Sequence, residues 1–370
     1  MSKKLFLTCD EQTMSYQPTF VIAEAGVNHN GSMSLAKELI DSAVAAGADA
    51  VKFQSFHAES LVTTDAEMAE YQIANTGKSE SQYEMLKRLE LSTAQQRELF
   101  EYCVGKKIQF LSTPFDYASL KFLVQDLGLA TIKIGSGELT NAPFLHQVAS
   151  LAKHLILSTG MSTESEVRSA LGVVAHAFVS KEPPSGEQFK KSFDSEAGKR
   201  AISSRVTLLH CTTEYPAAPE EINLRAMRTL TERFDCRVGF SDHSAGTHLA
   251  VAAVALGATV IEKHLTTSRE LPGPDHMASL EPLEFKRLVA DIRELEQALG
   301  DSVKKPTTSE TKNIGVARRS LVAARAIKAG ELFTVENLTV KRPGNGKSPF
   351  EYWSLLGTKS PRDISKNETI

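Results

Sequence analysis

The chain has 370 residues, 41% of them hydrophobic and 24% charged, a balance that belongs to globular proteins and excludes disordered and collagen-like chains. Its 42 Lys and Arg against 45 Asp and Glu leave a formal charge of −3, so composition supplies no basic footprint for nucleic acid or an anionic membrane. Four cysteines, Cys9, Cys103, Cys211 and Cys236, are scattered without a CxxC, which fits a reducing compartment and offers no thiolate metal site.

The opening MSKKLFLTCDEQTMS carries only LFL before polar residues return, too little for a signal-peptide core. No apolar run approaches the roughly 18 residues that span a bilayer, so a cytoplasmic protein is expected, with no membrane partner. From Phe20 onward, short β-rich runs alternate with helical patterns. The strand-like runs are FVIAEAG from Phe20, AVKFQS from Ala50, IQFLSTPF from Ile108, ATIKIGSG from Ala130, HLILSTG from His154, VTLLHC from Val206, RVGFSDH from Arg237 and ATVIEKHL from Ala258. Most are nearly continuous apolar runs, as parallel strands covered on both faces require. Amphipathic segments lie between them; in SLAKELIDSAVAAG, Leu35, Leu39, Ile40 and Ala43 recur at helical spacing. Eight β-then-α units predict an α/β fold, a TIM (β/α)8 barrel over residues 1–298. A Rossmann sheet would want GxGxxG after its first strand, and GVNHNG is not that pattern.

Residues 57–92 read as a long polar βα loop carrying an extra helix, and residues 180–204 as a surface insertion or disordered loop with no chemistry. After the last barrel helix, residues 299–315 form a polar linker, and 316–370 read as a small β-rich domain. Such a short domain is marginal alone, so it is expected to lean on the barrel or on another subunit.

TIM-barrel sites lie at the C-terminal ends of the strands. There this sequence places Glu24, Lys52 with Gln54, Ser112 with Thr113, Lys133 with Ser136, Ser158, His210, Ser241 with His243, and Glu262 with His264. An unpaired buried ammonium is costly, and a ligand with several negative charges resolves that cost. Lys52, Lys133, Thr113, Ser136 and Ser158 therefore read as a phosphate or carboxylate clamp. His243 and His264 end the seventh and eighth strands, where their imidazoles could converge on one divalent cation. His210 ends the sixth strand and is nearly as well placed, whereas His29 and His276 border the mouth from loops.

These strand ends resemble the sialic acid synthase family in IAEAGVNHNG (22–31), VKFQ (51–54), STPFD (112–116), KIGSGELTN (133–141) and LSTGM (157–161). The likeness continues in LHCTTEYP (209–216), GFSDHSAG (239–246), IEKHLT (261–266), GPDHMASLEP (273–282) and KRPGNG (341–346), and the C-terminal segment is similar to the family's antifreeze-protein-like (SAF) domain. The resemblance implies condensation of phosphoenolpyruvate with an N-acyl mannosamine-type sugar. It makes His243 and His264 the ligands of a divalent metal, Mn²⁺ or else Mg²⁺ or Co²⁺, and leaves His210 outside the ligand set. Lys52, Thr113, Lys133, Ser136, Ser158 and Ser241 match phosphoenolpyruvate-binding positions, and Thr213 stands in that region where some members carry Asn. Glu24, Gln54, Tyr215 and Asp275 match residues around the sugar. Arg342 matches an arginine that reaches the partner subunit's active site, which implies a domain-swapped homodimer.

Glu24 is the candidate for proton transfer, its alternative role being to orient a sugar hydroxyl or a lysine. The product implied first is N-acetylneuraminate, made from N-acetylmannosamine. The alternative is N,N'-diacetyllegionaminate, made from 2,4-diacetamido-2,4,6-trideoxymannose; the quoted motifs serve both. A non-catalytic sugar- or ice-binding protein leaves the two lysines and the histidine pair unexplained. A Schiff-base aldolase would use one desolvated lysine rather than two set among hydroxyls.

Overall fold

The computed structural model describes residues 18–77 and 80–370, which divide into two compact units, one ending at Leu299 and one spanning Gly300–Ile370. Cys9 and the opening segment lie outside the described residues. The first unit is a TIM barrel of β1 (Phe20–Gly26), β2 (Ala50–Ser55), β3 (Gln109–Pro114), β4 (Thr131–Ile134), β5 (His154–Ser158), β6 (Val206–His210), β7 (Arg237–Asp242) and β8 (Val260–His264). Hydrogen bonding runs in the order β3-β2-β1-β8-β7-β6-β5-β4, every pair parallel, and β3 and β4 lie alongside each other to bring the ends together. All eight strands fall on the runs read from the sequence.

Alternation along each strand explains how apolar runs can carry a polar site. Side chains at i and i+2 share a face. Phe20, Ile22, Ala50, Leu111, Ile156, Leu209 and Val260 form one cluster that fills the barrel's lower interior. One step further along the same inward rows stand Glu24, Lys52, Thr113, Ser158 and Glu262. The outward rows, among them Val21, Ala23, Val51, Phe240 and Ile261, join the core packed under the helices. That core takes a helix such as Met33–Ala46 by its stripe of Ala36, Leu39, Ile40 and Ala43, spaced i, i+3, i+4, i+7. Ser32 caps the helix start and Gly47, at φ 80°, ends it in the left-handed conformation that glycine tolerates best.

The excursion after β2 forms three short helices, Ala58–Leu61, Glu70–Thr76 and Gln82–Leu89, more structure than the one extra helix read there. Met68, Met85 and Leu89 pack with Val27 and Phe56, so the excursion lies against the barrel mouth. The insertion at 180–204 is corrected more strongly. It holds helices Gly186–Asp194 and Glu196–Arg205, started by the caps Ser185 and Ser195. Phe189, Phe193 and Ile202 anchor them to the core, apolar positions spaced too sparsely in a polar stretch to show as periodicity.

In the second unit, β9 (Ser320–Ala323) pairs antiparallel with β10 (Leu338–Lys341), and Ala323, Ile327, Phe333, Leu338 and Ile364 make a small core. The stretch read as linker is partly helical: Thr308–Ala317 begins at a capping box of Thr307 and Glu310. Among the described residues no helix is long and apolar enough to cross a membrane.

Candidate active site

The inward rows end in one cavity of about 210 Å³, lined by Glu24, Lys52, Gln54, Thr113, Lys133, Ser136, Ser158, Thr213, Tyr215, Ser241, His243, His264 and Asp275. They include every residue assigned a binding, metal or catalytic role from the sequence except Arg342, which is exposed in the second unit just beyond β10. Of the other strand-end residues, Ser112 bonds instead to Ser55, and His210 is not in the lining.

Glu262 is the residue that sequence reasoning noticed but gave no role. Its carboxylate lies 3.6 Å from Lys52 Nζ and 3.4 Å from Lys133 Nζ, and it accepts a hydrogen bond from Ser241 Oγ at 2.9 Å. Lys52 also forms a close ion pair with Glu24 and donates to Thr113 Oγ1 at 3.1 Å, while Lys133 donates to Ser158 Oγ at 2.7 Å. The two ammonium groups are thus already faced by two carboxylates, so part of the cost of their burial, expected to be met by a ligand with several negative charges, is met within the protein. The signal was present, since Glu262 precedes His264 by two residues and so shares its inward face.

The four charges are not held alike. Burial, reinforced by the charge of Glu262 and opposed by Lys52, lifts the Glu24 carboxyl to about 7. Burial also acts on Glu262, but Lys133 and Lys52 outweigh it and hold that carboxyl down to about 2. Near neutral pH Glu262 is a fixed anion, whereas Glu24 exchanges its proton. When Glu24 is protonated the cluster carries net positive charge, which suits an anionic ligand, and a bound anion in turn favours that protonated state.

His243 and His264 meet edge-on in the cavity lining, with ring centroids 5.5 Å apart. Tyr215 lies against His243 at 4.2 Å and meets His264 edge-on at 5.6 Å; Tyr71, from the excursion, stacks behind it at 5.0 Å. His243 Nδ1 donates to the Thr212 carbonyl at 2.6 Å, which leaves Nε2 as the lone-pair nitrogen. His264 Nδ1 is buried without a hydrogen-bond partner, and Asp275 stands 3.8 Å from it. Burial holds His243 down to about 4 and His264 well below the usual imidazole range, so both rings are neutral. Two neutral imidazoles, one with its tautomer fixed and one with an orphaned nitrogen, fit a divalent cation. Among the described residues no cluster of three or more His, Cys, Asp or Glu is placed to hold a metal, so such a cation would take its other ligands from water or substrate.

The other histidines read near the mouth are otherwise engaged. His210 Nε2 bonds the Ile222 carbonyl at 2.5 Å and its ring stacks on Phe240, consistent with its place outside the ligand set. His29 and His276 are buried rather than rim-exposed: His29 Nδ1 accepts from the Gly31 amide and His276 Nδ1 lies 2.7 Å from Thr266 Oγ1.

Two further features were invisible in the motifs. The excursion supplies a wall of Tyr71, Gln72, Met85, Leu86 and Leu89, continued by Val27 and Phe115. Thr213 Oγ1 is buried with no partner, beside a Gly160 whose missing side chain would collide with Thr213 and Ser136. The hydroxyl and the glycine together leave a polar niche at the mouth.

A barrel whose mouth gathers two lysines, two unlike carboxylates and two neutral imidazoles, with a small β unit after it, defines an α/β-barrel enzyme built around an anionic ligand. The chain belongs to the NeuB family, whose model matches residues 39–304, and residues 318–370 match the SAF domain. It is a transferase of the sialic acid synthase type. It is 47% identical over 352 residues to the N,N'-diacetyllegionaminic acid synthase of Campylobacter jejuni, covering 95% of this chain and 98% of that one. It is 44% identical to the protein of the same name from Legionella pneumophila, with 95% and 93% covered. The crystal structure of an N-acetylneuraminic acid synthetase from Leptospira borgpetersenii superposes with a TM-score of 0.65 at 32% identity, covering 83% of this chain and 95% of that one.

Proposed function

We propose that this enzyme condenses phosphoenolpyruvate with 2,4-diacetamido-2,4,6-trideoxymannose and water, releasing N,N'-diacetyllegionaminate and phosphate. The reading puts first the product that the sequence offered second. Relatives at 47% and 44% identity carry that name, against 32% for the N-acetylneuraminic acid synthetase. The apolar wall of Val27, Met85, Leu86, Leu89 and Phe115 supports it, because a 6-deoxy sugar with two acetyl groups presents methyls where mannosamine presents hydroxyls.

The observation that carries the chemistry is the Lys52–Glu24–Glu262–Lys133 cluster beside the two imidazoles. Lys52 and Lys133, with Thr113, Ser136, Ser158 and Ser241, hold the phosphate and carboxylate of phosphoenolpyruvate. Gln54, Tyr215 and Asp275 surround the open-chain sugar. His243 and His264 hold a divalent cation, Mn²⁺ first among candidates, which when bound supplies Lewis-acid polarisation of the sugar aldehyde. Carbon 3 of phosphoenolpyruvate attacks the aldehyde carbon while protonated Glu24 delivers its proton to the aldehyde oxygen. The resulting carboxylate accepts a proton from the water that adds at carbon 2, and phosphate departs by C–O cleavage. One carboxyl with a pKa near neutrality can serve both transfers. Arg342 completes the sugar site of a partner subunit in a homodimer.

Phosphate release with each sugar, and mass spectrometry of the product, test the proposal. The trideoxy sugar is expected to give a kcat/KM at least about tenfold above N-acetylmannosamine, the scale on which a few apolar contacts discriminate. The reverse preference would make the protein an N-acetylneuraminate synthase. Exhaustive chelation should abolish turnover and Mn²⁺, Mg²⁺ or Co²⁺ restore it; full activity in chelator would overturn the metal assignment.

A further inference from the structure

Behind the two imidazoles, on the outward face of the same strands, lies a second pair of charges. Asp242 and Lys263 are register partners at the last rung of β7 and β8, and each directly precedes one of the histidines. Both side chains are fully buried, with Lys263 Nζ 2.9 Å from Asp242 Oδ2 and 2.5 Å from the Ser244 carbonyl, to which it donates. Asp242 Oδ1 accepts from the Ser244 amide at 2.9 Å and from its hydroxyl at 2.6 Å. His243 is therefore held on both sides by residues tied to Lys263, and Lys263 is joined to His264 through the backbone.

Stability does not account for this arrangement. Outward positions one step earlier are Phe240 and Ile261, part of the apolar core. A buried ion pair in such a layer generally gains nothing over well-packed apolar side chains of similar volume. What it supplies is a fixed cross-link between two strand ends whose next residues must meet within a fraction of an ångström.

We infer that Asp242, Lys263 and Ser244 are positioning residues that set the separation and orientation of His243 and His264 for a divalent cation. The inference rests on the proposal that those imidazoles hold one.

The test is calorimetric titration of Mn²⁺ into the metal-stripped full-length protein, comparing wild type with His243→Ala, Lys263→Met and Ser244→Ala. Lys263→Met and Ser244→Ala are expected to raise the Mn²⁺ Kd by about 10–100-fold, the range for partners that orient metal-binding histidines. At saturating Mn²⁺, their KM for phosphoenolpyruvate should stay within about threefold of wild type, since the lysine clamp is untouched. Ser244→Ala removes one hydroxyl and keeps the ion pair, so it carries the test if Lys263→Met fails to fold. A lowered Tm with an unchanged Mn²⁺ Kd would show a merely structural role and overturn the inference. A different result, wild type binding Mn²⁺ no better than His243→Ala, would instead overturn the cation reading itself, and this inference with it.

Discussion

Glu24 and Glu262 face the same ammonium, Lys52, from neighbouring strands, yet one holds its carboxyl proton to about 7 and the other loses it by about 2. Burial pushes both carboxyls up, but Lys133, at 3.4 Å, with Lys52 and the Ser241 hydroxyl holds Glu262 down, whereas Glu24 has one close cation and is pushed up further by the charge of Glu262. Two carboxyls driven apart by their surroundings mark a division of labour, one fixed anion and one proton carrier.

Glu24→Gln keeps the shape of the side chain and removes the exchangeable proton. It is expected to lower kcat by about 10²–10³-fold, within the range of general acid–base catalysis. Single-turnover phosphate release would show the loss in the chemical step. If Glu24 only orients a sugar hydroxyl, the defect would appear in the KM for the sugar instead.

Lys133→Ala removes a charge-assisted contact worth roughly 2–3 kcal/mol, so the KM for phosphoenolpyruvate should rise by about 30–150-fold. The sugar KM should move much less. Steady-state kinetics with each substrate varied in turn decide this, and an unchanged response to phosphoenolpyruvate would show that the ammonium serves only Glu262 and Ser158.

The barrel was legible because each strand is an apolar run of the right length and the runs alternate with helical patterns. The mouth was legible because Lys52, Lys133, His243 and His264 stand at strand ends, where barrel topology alone gathers them. What escaped depended on pairing across strands. Glu262 looked like one more polar residue until β8 placed it between lysines from β2 and β4. Asp242 and Lys263 drew no role from the sequence, charged residues being mostly exposed, and only the register shows them buried against each other. The helices in the 180–204 insertion rest on a few apolar anchors in a polar stretch, too few for a period to emerge.

Burial holds His29 and His276 down to about 4 from an ordinary value of 6.5, with their mutual proximity adding to the effect at His29. The unfolded chain therefore binds more protons than the fold between those values. Stability from each group is fully present above the unfolded pKa and is lost as pH falls toward the folded one. Glu24 and Asp275, whose carboxyls are raised to about 7 and about 6, act in the opposite sense, so the useful quantity is a difference. Between about pH 6.5 and 5, wild type should lose on the order of 1–2 kcal/mol relative to His29→Asn. Urea unfolding at the two pH values measures it, and parallel curves would show that His29 does not titrate in this way.

Arg342 lies exposed just beyond β10, in a unit of about 70 residues with its own small core. The proposal that it completes a partner subunit's site makes a prediction that a solvated turn arginine does not. Assayed with phosphoenolpyruvate well below the raised KM of Lys133→Ala, Arg342→Ala and Lys133→Ala should each be nearly inactive alone, yet rescue each other when co-folded. In a mixed dimer, one barrel keeps Lys133 and receives the intact Arg342 from across the interface, while the other site carries both defects. Random mixing makes about half the dimers mixed, each with one working site of two, so roughly a quarter of wild-type activity should return. If Arg342 instead serves its own barrel, every site in the mixture carries one defect and nothing returns. Differently tagged subunits, purified in tandem, isolate the mixed dimers and double the expected recovery to about half. Inactive dimers that carry both tags would refute the exchange of Arg342 between subunits.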